Sequence, residues 1–126
     1  MSIDKKTQLA IKEREATGKI LYSIISGVLT PFEATKYFPK NSEDISVKIA
    51  WHTLLHYDAD EEIRLKDPEF AQEQLKYIET LAKILSDGNE LPHNMLKDYE
   101  DLYIDTVMPK RYNFLGKIKA FFRFTN

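Results

Sequence analysis

Two histidines stand four residues apart, His52 and His56, and Asp60 follows at the same interval. On a helix that spacing puts the three side chains on one face, a turn apart. Two imidazoles and a carboxylate form a first shell suited to a divalent ion such as zinc, iron or manganese, and such sites occur inside helical bundles. The structural alternative is a pair of core or boundary histidines satisfied by hydrogen bonds. It draws support from the stripe Ile45, Ile49, His52, His56 and Ile63, which is largely apolar.

The histidine spacing matches part of the zinc-protease helix motif, but Thr53 stands where that motif carries its general-base glutamate. A protease reading is therefore rejected. The acids Asp58, Asp60, Glu61 and Glu62 do not form an EF-hand loop, because no glycine occurs between Gly27 and Gly88. Asp98, Asp101 and Asp105 share a second helical face. Both acidic groups read as solvated surface. No glycine-rich phosphate loop, nucleophile elbow or cysteine is present, so no catalytic residue is assigned and an enzyme is disfavoured.

The other chemistry-bearing region is the last stretch. Residues 109–126 hold Lys110, Arg111, Lys117, Lys119 and Arg123 and no acid, which leaves the rest of this net −2 chain at −7. If residues 113–125 are helical, Phe114, Leu115, Ile118, Phe121 and Phe122 form one arc, with Lys117, Lys119 and Arg123 beside or away from it. Three roles fit: a last helix packed on the acidic body, a peripheral contact with an anionic membrane, or an exposed partner-binding helix. The residues expected to make a partner or membrane contact are Phe114, Lys117, Ile118, Lys119, Phe121, Phe122 and Arg123. An acidic body disfavours nucleic acid as a ligand.

The elements that would position these groups are all helical. Asp4 to about Ser26 reads as a first helix, with an apolar stripe of Ile20, Leu21, Ile24, Ile25 and Val28 and a polar first half, Lys5 to Lys19, free to extend into solvent or meet a partner. Gly27 closes it. Thr30-Pro31-Phe32-Glu33 is a capping box that starts a short second helix, ended by Pro39. Ser42 is read as the start of a third, apolar nearly all round from Ile45 to Tyr57, which either continues to about Lys66 or breaks near Asp58. Asp67-Pro68-Glu69 begins a fourth, with Ala71, Leu75, Ile78, Ala82 and Leu85 on one face and Gly88 just past its end. A fifth opens near Pro92, presents Met95, Leu96, Tyr99, Leu102, Tyr103 and Thr106, and stops at Pro109.

The fold class is thus all-α: about five helices in an acidic bundle, residues 1–108, plus a basic amphipathic segment, residues 109–126, packed on the same domain. No apolar run reaches the ~18 residues of a membrane span. The absence of cysteine and of an apolar leader fits a cytoplasmic protein. With 126 residues, 43% hydrophobic, the chain can bury a core without staples. The leading functional expectation is a non-catalytic interaction or regulatory module that binds a protein or self-associates. A helical-bundle metalloprotein and a membrane adaptor are the alternatives. The third helix must be covered on every side, by the bundle or by a second copy, and a dimer is expected if the tail cannot complete that cover.

Overall fold

The computed structural model describes residues 4–39 and 41–103, with side chains described through Tyr99. Among them are six helices and no strand: α1 Lys5–Ile25, α2 Pro31–Thr35, α3 Ile45–Ala59, α4 Glu61–Lys66, α5 Pro68–Ser86 and α6 His93–Tyr103. The all-α class holds. No helix of the described residues is long and apolar enough to cross a membrane. The basic segment expected at 109–126 lies outside the described residues.

The starts of α1, α2, α3 and α5 follow from a local hydrogen-bond need, because the first amides of a helix have no partner within it. The Asp4 carboxylate accepts from Thr7 N–H at 2.8 Å. Thr30 and Glu33 complete a reciprocal capping box. Asp67 accepts from Phe70 N–H, with Pro68 at the first helical position. The third helix departs from its expected start. Asp44, not Ser42, is its cap, accepting from Val47 N–H at 3.1 Å. Ser42 sits one step back, its hydroxyl accepting from Asp44 N–H. A carboxylate capping α3 offers a second oxygen to other donors, and this proves decisive below.

The ends obey similar rules. Gly27 and Gly88 close α1 and α5 at φ +79°, a conformation that costs glycine no Cβ clash. Val28, assigned above to the first helix's apolar stripe, lies beyond Gly27 and is 74% exposed. The α2 helix ends at Thr35, before Pro39 can act as its stop. The α3 helix stops at Ala59. Asp60 is the hinge residue from which α4 sets off, so the stripe expected to run from Ile45 to Ile63 is broken into two helices.

The core gathers Ile20, Leu21 and Ile24 of α1, Val47, Ile49, Ala50 and Leu54 of α3, Phe70, Tyr77, Ile78, Leu81, Ala82 and Leu85 of α5, and Leu91 and Met95 at α6. Phe38 of the α2–α3 connection closes one end against Trp51, ring centroids 5.3 Å apart. The most extensive packing is α1 on α5. It depends on Gly18. A Cβ built there would lie 2.3 Å from Ser86 N and 2.6 Å from Ser86 Cα, inside backbone that cannot rotate away. Thr17, fully buried beside it, turns its hydroxyl back to Glu13 O at 2.7 Å and so presents an apolar surface.

Gly18→Ala should therefore destabilise the fold although alanine is the better helix former by about 1 kcal/mol. Forcing α1 and α5 apart is expected to cost a net ~2 kcal/mol or more. Urea unfolding checks this. A Gly18→Ala chain as stable as wild type would remove the close approach as a constraint.

Candidate functional site

Two polar assemblies interrupt this apolar packing. The first lies where α1, the start of α3 and the α5–α6 connection meet. Arg14 projects from the middle of α1, and its side chain is only 11% exposed. A buried guanidinium must be paired and its donors satisfied. Arg14 Nε donates to both Asp44 carboxylate oxygens at 3.2 Å, and Nη2 donates to Asp44 Oδ1 at 2.7 Å. Nη1 donates to Gly88 O and Nη2 to Glu90 Oε1, each at 3.2 Å. Hydrogen bonding to Asp44 pushes the guanidinium further from deprotonation, against the opposing effect of burial.

Neighbouring polar groups reinforce the junction. Ser42 donates to Glu13 at 3.1 Å, and Leu91 N–H donates to the buried Ser46 hydroxyl at 3.0 Å. Gly88 packs beside Ile11 and Glu15 of α1. Two chain segments distant in sequence, the start of α3 and the α5–α6 connection, are thus tied to one turn of α1. Above this floor opens a groove of about 730 Å³, within the common range of ~300–1,000 Å³ for binding cavities. The first half of α1 forms one wall with Lys6, Thr7, Leu9, Ala10 and Glu13, and Asn41, Glu43, Ile45 and Glu90 face it across Arg14 and Asp44. Leu9 is 57% exposed, an apolar side chain in solvent on the groove's edge. Among the described residues the charged lining is four acids against two bases, and one of those bases is already paired with Asp44.

The second assembly contains the histidines. His52 and His56 share a face of α3, as the spacing predicts, and His56 is buried. Burial, with a smaller contribution from the neighbouring His52, pushes the His56 imidazole down to about 4, and burial lowers His52 as well. Both rings are therefore neutral near pH 7. His52 Nδ1 shares a 2.8 Å hydrogen bond with the Tyr99 hydroxyl of α6, with the rings 5.4 Å apart. Asp60 closes α3, its N–H donating to His56 O at 2.9 Å, one turn beyond His56. It is fully buried, and its Oδ2 accepts from Gln74 Nε2 at 3.1 Å. Gln74, also fully buried, accepts at Oε1 from Arg64 Nη1, which also donates to Tyr57 O. The guanidinium lies 3.7 Å from the Tyr57 ring centroid. Among the described residues no three or more His, Asp and Glu side chains converge as metal ligands.

The histidine face and Asp60 were legible in the sequence, and the Arg14 junction was not. Arg14 and Asp44 are ordinary charges in their local contexts. The available signal was a half-helix whose polar face had no apolar partner, together with a carboxylate at a helix start. Gln74 was hidden because it interrupts an otherwise apolar face of α5. Of the expected partner or membrane contacts, Phe114, Lys117, Ile118, Lys119, Phe121, Phe122 and Arg123 all lie outside the described residues. The chain matches no known protein family, curated protein or solved structure.

Asp44→Ala removes the Arg14 partner and the α3 cap together, and should cost about 3–5 kcal/mol. Asp44→Asn keeps a capping oxygen and should cost less. Urea unfolding of the two variants tests the order; equal losses would show that the cap and the ion pair are not separable in this way.

The depressed His56 sets an acid response. Its contribution to stability is fully present above 6.5, the ordinary histidine value, and is lost as pH falls towards about 4. Wild-type stability should drop by roughly 2–3 kcal/mol across that window in excess of His56→Gln, in which this proton uptake is gone. Identical pH slopes for the two proteins would eliminate His56 as the source.

Proposed function

We propose that this chain is a small, non-catalytic helical interaction module that holds a protein partner in the groove along the first half of α1. The observation that carries the reading is the pairing of an open groove of about 730 Å³ with a floor whose polar groups are already engaged with one another. Arg14 and Asp44 are turned towards each other and not held ready for a reacting group. What the groove presents to a visitor is shape, the exposed Leu9, partly buried Ala10 and Ile45, and a rim of acids. Such a combination suits a partner segment with an apolar ridge flanked by cations. Leu9 is the apolar contact, while Glu43 and Glu90 steer the approach.

The full tagged chain, used as bait in lysate of its source organism, provides the test. Leu9→Glu alters an exposed position and should leave folding within about 0.5 kcal/mol of wild type. Leu65→Glu, on the exposed side of α4, is the control. A protein retained by wild type and by Leu65→Glu but reduced tenfold or more by Leu9→Glu is the expected result. The same bound set with all three baits would overturn the groove as the contact surface.

A further inference from the structure

The groove calls for an occupant with an apolar ridge and a surplus of cations, and this chain contains one. Residues 113–125 place Phe114, Leu115, Ile118, Phe121 and Phe122 at helical spacing. Lys117, Lys119 and Arg123 lie among or beside them, and the whole of 109–126 contains no acid. We propose that residues 113–125 occupy the α1 groove of their own chain when no partner is bound, so that the segment and the partner compete for one surface. The inference rests on the groove being the contact surface proposed above.

Reach permits it. Glu90, on the groove wall, stands three residues before the start of α6. The α6 helix His93–Tyr103 carries the chain away from that point by about 16 Å, at ~1.5 Å per residue. Residues 104–112 can cover about 30 Å when extended, at ~3.3 Å each. The return path is therefore longer than the outward one, and 113–125 can be brought back beside Glu90. Charge favours the same arrangement. Glu13, Glu43, Asp44 and Glu90 line the groove against Lys6 and Arg14, and the arriving segment adds only positive charge. Leu9, Ala10 and Ile45 offer the apolar side chains something to cover. The effective concentration of a segment tethered by so short a connection is of order millimolar, so weak contacts suffice to fill the site.

The chain has no cysteine, so one can be placed at will. Asn41 lines the groove and is exposed, and Asn41→Cys in the full chain accepts a nitroxide label. Amide resonances of residues 113–125 should broaden at least twofold relative to the reduced label. The broadening should fade in 1 M salt, where the Debye length is about 3 Å, and in Glu43→Lys. It should not be reproduced by mixing labelled unenriched chains with unlabelled enriched ones. No broadening overturns the proposal, as does broadening that is indifferent to Glu43→Lys. Broadening seen equally in the mixed sample assigns the segment to a second copy and overturns the intrachain contact. No broadening together with sedimentation on phosphatidylserine vesicles makes the segment a membrane element, and the proposal falls. A Leu9-dependent partner in lysate without broadening at 113–125 would remove this inference alone and leave the groove reading standing.

Discussion

The need to satisfy Arg14 organises one end of the molecule. A guanidinium carried into the α1 packing surface cannot shed its charge, so it must collect acceptors around it. It takes a carboxylate from the start of α3, a carbonyl from the residue closing α5, and a second carboxylate two residues later. Each acceptor fixes the segment that carries it. Asp44 is bound twice over, since the carboxylate that caps α3 is the one that meets Arg14. The junction ties the start of α3 and the α5–α6 connection to α1, while α6 itself is also held by Met95 in the core and by Tyr99 on His52. Among the described residues, the groove is the space left where three segments are drawn to one point without closing above it.

Close approach of α1 and α5 is the condition for that junction. Ser86 backbone lies where a side chain on Gly18 would stand, and the chain just past it delivers Gly88 O and Glu90 to Arg14. A wider spacing would move both acceptors out of reach. The buried face of α1 begins with small and polar-but-satisfied residues, Arg14, Thr17 and Gly18, before the apolar Ile20, Leu21 and Ile24 take over. This is why α1's first half reads as a solvent-facing helix and yet is packed from Arg14 onward.

Helix existence and most boundaries were legible because capping is a local hydrogen-bond problem with few solutions. Asp4, Thr30 with Glu33, Asp67 with Pro68, and the positive-φ glycines Gly27 and Gly88 announce themselves within a turn of sequence. What was not legible is whatever depends on partners far along the chain. Asp44 and Arg14 are 30 residues apart, and Arg14 and Glu90 are 76 apart. Asp44 as the α3 cap was open to local reasoning, since it directly precedes Ile45 and can accept from Val47 N–H, but its pairing with Arg14 was not. Likewise Gln74 looks like a polar interruption on α5 until Asp60 and Arg64 are seen on either side of its amide. The histidine pair was visible as a shared face, but its depressed protonation depends on how the bundle closes over α3.

The two polar assemblies differ in a way that bears on function. In the seam of Asp60, Gln74, Arg64 and Tyr57, the buried Asp60 and Gln74 and the partly buried Arg64 and Tyr57 are linked across α3, α4 and α5. Such a network specifies which helices meet and at what register, because any shift leaves a buried amide or carboxylate without its partner. The Arg14 junction is equally satisfied below, and among the described residues it opens into the groove, with Glu43 and Glu90 exposed at its rim. Asp44 is spent on Arg14 and on the α3 cap, and Glu90 reaches Arg14 with one oxygen while most of its side chain stays in solvent. A surface whose scaffold is fixed from beneath and whose rim is acidic would serve the proposed contact in two ways: rigidity saves entropy otherwise lost on binding, and exposed carboxylates attract a cationic segment before it docks.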